Sequence, residues 1–220
     1  MPTVTDVSTV QYSGDLRVDS LLHLSANWSY LLPARSTLYY SFDLGVIAGE
    51  APQPVAAFNE TQKAAARAIL QHTSALTGVT FAEVESGAQA DFHFAACNLD
   101  TTGLCQTEWS YSYGAGNVLT AYSAEAYIYL DNVEFAATNG APVAGSAGYE
   151  VLLHEIGHAL GLDHPFDTPY PLPAAQDNTG NTVMSYTHVG GAKSVFQSYD
   201  LLALRCGRAC VVRGGRRTGR

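Results

Sequence analysis

The sequence contains no run of 18 apolar residues, no Cys-x-x-Cys pair, no internal repeat and little charge. Each absence removes a class of protein. Without ~18 or more consecutive apolar residues, no helix can cross a bilayer. Without Cys-x-x-Cys, a dithiol redox site is not expected. No His-x-Glu is followed by Pro-Cys-x-x-Cys, so the zinc deaminase pattern is missing as well. Residues 1–22 hold no basic stretch leading into an apolar one, so no cleavable signal peptide is expected there. Charged residues are 14%, against a typical quarter. The polar surface must therefore come from uncharged side chains, a composition that suits an extracellular protein.

The charge is also unevenly spread. Residues 1–204 carry all 20 acidic residues and five basic ones, a balance of −15. Such a body disfavours nucleic acid and anionic membrane as partners. It tolerates hard cations such as calcium. The last 16 residues hold six Arg and no acid, and read as a disordered tail over 205–220 without a function. Four cysteines fall in two close pairs, Cys97/Cys105 and Cys206/Cys210. They allow three pairings; a local Cys97–Cys105 bridge and two reduced thiols carry equal weight.

Along the chain, residues 1–20 are polar and weakly patterned, and read as an N-terminal arm or short pro-like segment. Residues 37–42 form a first expected strand, with Leu38, Tyr40 and Phe42 on one face. A Pro-rich loop at 51–54 precedes a helix over 60–77. Asn59 and Gln62 make a capping box at its start and Gly78 a left-handed stop at its end. Strands are expected at 79–84 and 90–96, a long loop over 97–116, and strands again at 117–122 and 126–130. Ser146 starts a helix running from about 147 to 160, and a last helix begins near Ser198 with Asp200 in its first turn. This order describes one α/β domain over 21–204.

The chemistry concentrates in His154-Glu155-Ile156-Gly157-His158-Ala159-Leu160-Gly161-Leu162-Asp163-His164-Pro165. On a helix, His154 and His158 lie one turn apart on one face, about 6 Å along the axis, so their imidazoles can converge on one ion. Zinc favours such nitrogen donors, and a catalytic site needs three protein ligands and an open position. His164 lies too far round a continuing helix to join them, so the helix must break and turn back. Gly161 supplies the break, because glycine enters the left-handed region without a Cβ penalty. Glu155 is placed to act as general base towards a metal-activated water. A purely structural zinc site does not account for Glu155.

Residues 154–165 resemble the long zinc signature of the metzincin metallopeptidases, and the serralysin branch in particular. Thr182-Val183-Met184-Ser185-Tyr186 resembles the methionine turn of that family. The likeness covers roughly residues 20–204. It includes the helix and strands from Phe58 to Phe94 and the run from Ser198 to Leu204. The resemblance implies a twisted, mostly parallel five-stranded sheet with a long active-site helix and a C-terminal helix. It implies that Met184 packs near the metal without binding it. It also implies that Tyr186 is both an extra, swinging zinc ligand and a catalytic group that holds the oxyanion. The substrate it implies is a polypeptide lying extended along an edge strand, with 126–130 and the preceding loop as the upper rim. Serralysins continue into a calcium-binding Gly/Asp repeat domain and this chain holds no such repeats. Its Asp163–Asp177 loop is the stretch that offers oxygens for calcium.

The expected protein is therefore a secreted, monomeric zinc metalloendopeptidase. Its metal is held by His154, His158, His164 and Tyr186, with Glu155 as base, and room is left for a proteinaceous inhibitor. The alternative is an inactive zinc-binding domain that acts as a binding or assembly module. It is motivated by the lapse of the last helix after Leu204.

Overall fold

Period-two apolar segments pair into a single sheet, and the two long helices cover one of its faces. The computed structural model describes residues 1–46 and 54–206. Most of the Pro-rich loop at 51–54, Cys210 and nearly all of the Arg-rich tail lie outside the described residues. The strands are β1 Thr37–Ser41, β2 Thr80–Glu83, β3 Phe92–Cys97, β4 Gly103–Tyr113 and β5 Leu119–Asp131, in the order β2-β1-β3-β5-β4. Pairs β1–β2, β1–β3 and β3–β5 are parallel, and β4 alone runs antiparallel, along β5. Helix α1 is Val4–Ser8, α2 Leu16–Asp19, α3 Glu60–Thr77, α4 Ala136–Asn139, α5 Ala147–Ala159 and α6 Ser198–Arg205.

Local signals set the helix ends. Asn59 and Gln62 form the capping box of α3, and Gly78 closes it at φ +80°. The main core joins Phe92, Phe94, Ala126, Ile128 and Leu130 of the sheet to Ala66, Ile69 and Leu70 of α3 and Leu152, Leu153 and Ile156 of α5. Ala95, Cys97, Leu99, Tyr127 and Tyr129 make a second cluster on the opposite face of the sheet. Strand β3 is buried along its whole length, as a parallel strand covered on both faces must be.

Two expectations need correction. The loop over 97–116 contains the 11-residue edge strand β4. None of it is fully buried and its second half, rich in Ser and Tyr, faces solvent, and β5 supplies the hydrogen bonds that its composition does not advertise. The strands at 117–122 and 126–130 are one strand, β5, which runs through Ser123–Glu125. Residues 126–130 therefore lie inside the sheet, and the free rim is β4. Of the two readings of the first cysteine pair, the structure has the reduced one: Cys97 and Cys105 are free thiols. They sit on β3 and β4 with β5 between them, Cys97 opposite Asp131 and Cys105 opposite Ile128, so strand spacing alone holds them at least ~10 Å apart. A disulfide tolerates at most ~7 Å between Cα atoms.

Candidate metal centre and active site

Helix α5 begins where the Ser146 hydroxyl accepts a hydrogen bond from Tyr149 N–H. Its apolar residues Leu152, Leu153, Ile156 and Ala159 are buried. That leaves His154 and His158, four positions apart, on the face that opens to a cleft, with ring centroids 4.7 Å apart. After Ala159 the chain reverses. Gly161 N donates to His158 O at 2.8 Å and Leu162 N to Gly157 O at 3.0 Å, the double bond of a Schellman stop. Gly161 stands at φ +92°, where a side chain is strained. The reversal brings His164 back over the two helical imidazoles.

The three Nε2 atoms lie 3.1, 3.1 and 3.3 Å from one another. The Nδ1 atoms face outward, His154 to Val183 O at 2.8 Å and His158 to Leu162 O at 2.9 Å. A carbonyl only accepts, so both Nδ1 atoms carry the proton and both Nε2 atoms carry lone pairs. His164 Nδ1 faces Asp167 Oδ2 at 3.3 Å, which favours the same tautomer. Converging lone pairs repel unless a cation sits between them. A tetrahedral ion with bonds of ~2.0–2.1 Å separates its ligand atoms by roughly 3.3–3.4 Å. The donor set thus fits zinc. Burial pushes His154 down to about 3 and His158 down to about 4, so both are neutral, ligating imidazoles at pH 7. Among the described residues, this triad is the one group of three or more metal-capable side chains within mutual reach. The acids of the 163–177 loop are used singly. Asp163 accepts from His164 N, Asp167 faces His164, and Asp177 accepts from the Ser185 hydroxyl.

Glu155 is 6% exposed, and burial pushes its carboxyl up to about 8. It shares a cleft of about 520 Å³ with the three imidazoles, bordered by β4 on one side and by His23, Leu24 and Ser25 on the other. A second cavity of about 700 Å³ opens beside His154 and Glu155, with Val151, Val183 and Ala192 in its walls. Tyr186 is 63% exposed and its hydroxyl lies 3.0 Å from His164 Nε2. Phe166 stacks on His164 with centroids 5.2 Å apart. Met184 is fully buried and lies against the bare face of α5, where a Cβ on Gly157 would stand 2.7 Å from its Sδ. The sequence-predicted residues His154, Glu155, His158, His164, Met184 and Tyr186 are therefore gathered in one place.

Sequence reasoning did not single out the neighbours of this set. Gly103 on β4 touches Glu155 so closely that a Cβ there would lie 2.7 Å from Glu155 Oε1. Asp167 lies just past the signature, three residues after His164, and its carboxylate at turn spacing is the signal that could have found it. Nothing local marked Gly103 or the Val183 carbonyl.

The sheet order, the triad and the reversed turn define a fold of the metzincin metallopeptidase type, with a donor set that fits zinc. The matrixin family pattern matches residues 47–172, more than half of the chain, and the chain belongs to that family. Its likeness runs to the serralysin branch. It is 31% identical over 180 residues to the metalloprotease AprA of Pseudomonas entomophila, covering 78% of this chain and 33% of that protein. It is 33% identical to the metallopeptidase AprA of Pseudomonas marginalis, covering 59% and 27%. It is 31% identical to a serralysin of Photorhabdus laumondii, covering 59% and 28%. The chain thus spans about a third or less of the length of these relatives.

Proposed function

We propose that this chain is the catalytic domain of a zinc metalloendopeptidase, cutting internal peptide bonds of extended polypeptides. The observation that carries the reading is the convergence of three Nε2 lone pairs beside a buried carboxylate in one cleft. In this reading His154, His158 and His164 hold zinc, with Tyr186 as a fourth, movable contact. Zinc held there would supply a Lewis acid that polarises a carbonyl and lowers the pKa of water, so that hydroxide is available as the nucleophile.

The chain's own residues do the rest. Glu155 takes a proton from the attacking water on its carboxylate and delivers it to the departing amide nitrogen. A dication held by the imidazoles would favour the ionised form that begins the cycle, and the apolar seat favours the protonated form between the two transfers. The Tyr186 hydroxyl donates to the carbonyl oxygen as negative charge gathers there. The β4 edge offers backbone donors and acceptors that hold the substrate extended, and the cavity beyond Glu155 takes a side chain next to the cut bond. Work outside the cell belongs to the same proposal, on the serralysin likeness. Recovery of the protein from the medium of cells that make it supports that part.

The decisive measurement pairs metal content with casein cleavage. One zinc per chain and cleavage abolished by chelator and restored by zinc are expected. Glu155→Gln should keep its zinc and lose about 10²–10⁴ in turnover; undiminished turnover in that variant sinks the assignment. Full zinc with no chelator-sensitive cleavage in the unaltered chain would instead favour an inactive binding module.

A further inference from the structure

We propose that the N-terminal segment through His23 is a positioning element of the metal centre, which braces the turn that carries His164. The inference rests on the zinc reading above. Of the three imidazoles, His154 and His158 are placed by one rigid helix. His164 is not; its position depends on how firmly the five residues after Ala159 are held. That turn is gripped from outside by the N-terminal segment. Asp163 N donates to Leu21 O at 3.0 Å, and Leu22 pairs with Leu162 in an isolated antiparallel bridge. His23 Nδ1 stands 3.5 Å from Asp163 Oδ2, while Asp163 Oδ1 accepts from His164 N at 2.8 Å. Three residues beyond the cleft wall formed by 23–25, the chain reaches the other end of the turn. There Trp28 Nε1 donates to Ala159 O at 2.8 Å in a buried bond.

A brace works only if it is itself anchored, and this one is. Leu21 and Leu22 are fully buried, with Val7 and Val18, in the main core. Asp19 is buried and accepts from Ser13 N and Oγ and from Gly14 N, at 2.6–2.8 Å. That ties the preceding chain to α2. Leu21 N and Leu22 N continue from α2 by donating to Val18 O and Asp19 O. Farther out, Thr3 bridges to Val118 just before β5, and the Tyr12 ring meets Tyr170 edge-on with centroids 4.6 Å apart. The first 23 residues thus connect the sheet, the loop after the zinc signature and the His164 turn. The weakly patterned arm of the sequence is built into the metal centre, which is not how a removable pro-segment is built.

The test is zinc affinity of the full chain by chelator competition, with the visible absorption of the cobalt-loaded protein as a report on ligand geometry. Leu22→Gly frees the bridging residue, and Leu22→Ala is the milder version if the first does not fold. Leu70→Ala, in the α3 core and away from the metal, is the control for lost packing. Weakening of zinc binding by about 10–100-fold with an altered cobalt spectrum in the Leu22 variant is expected, as for outer-shell partners in general. The Leu70 variant should lose stability and keep both metal readouts. Wild-type affinity and spectrum in the Leu22 variant would overturn the brace, and so would equal loss in the Leu70 control. An unaltered chain that takes up no zinc would overturn the metal reading itself and the brace with it.

Discussion

Glu155 owes its place to a residue that has no side chain. Gly103 lies on β4 directly against it, and a Cβ there would come within 2.7 Å of Oε1 and 2.8 Å of Cγ. Contacts below 3 Å are not sustained, so Gly103→Ala must push the carboxylate out of its seat. The imidazoles lie elsewhere in the cleft, with Nδ1 atoms tied to Val183, Leu162 and Asp167. Zinc content should therefore survive in that variant while turnover falls by about 10–100-fold, since displacement of ~1 Å costs about this much. Equal kcat in the two proteins would show that Glu155 tolerates the shift. At this scale legibility was uneven. The clustering of the three imidazoles beside Glu155 could be read because helical periodicity places i and i+4 together and a glycine marks the break. Gly103 could not, because its contact joins two distant stretches of chain and a lone glycine in a polar run has many meanings. Met184 and Tyr186 were singled out only by resemblance; the residues alone gave one buried thioether and one tyrosine among 13.

Between elements, α6 reaches the metal centre through one carboxylate. Asp200, in the first turn of α6, is fully buried and accepts from Thr182 Oγ1 at 2.5 Å, Val183 N at 3.0 Å and Gln197 N at 2.7 Å. It thereby caps its own helix and fixes the turn whose Val183 carbonyl orients His154. Burial pushes the Asp200 carboxyl up to about 6 against the pull of those donors, from an ordinary 3.8. Between these values the folded chain holds a proton that the unfolded chain has released, so this group's contribution to stability falls as pH rises from about 4 to about 6. Asp200→Asn removes the titration. Unfolding free energies of the two proteins, measured across that window, should diverge by about 1–3 kcal/mol, with the wild type losing ground as pH rises. Parallel curves would mean that Asp200 keeps its charge throughout. The first turn of α6 was readable from its Asp; the partner turn was not, because it has no regular period. The β4 edge escaped for a related reason. An exposed strand needs no apolar alternation, and its partner supplies the order.

For the molecule as a whole, the metal centre is the meeting point of segments that are far apart in sequence. Helix α5 brings two imidazoles, the reversed turn a third, the 182–186 turn a carbonyl that faces His154 together with Tyr186, and residues 21–23 the backbone contacts of the proposed brace. The arm looked unstructured because α1 and α2 span only five and four residues, too few for a period to show. Its buried Val7, Val18, Leu21 and Leu22 became a core only through distant partners. Zinc binding in the reading above therefore links to global stability. An ion that binds the folded chain and not the unfolded one adds ~2.7 kcal/mol at a free concentration 100 times its Kd. In a domain of this size 1 kcal/mol moves Tm by about 2–4 °C. Stripping the metal with chelator should then lower Tm by about 5–10 °C, and returning zinc should restore it. His164→Ala should show a smaller chelator-dependent drop, since one ligand is gone. Calcium added to the stripped protein should restore little, because three neutral imidazoles offer it no oxygen. A Tm indifferent to chelator in zinc-loaded protein would detach the metal from the fold, and the segments meeting there would have to be held together by packing alone.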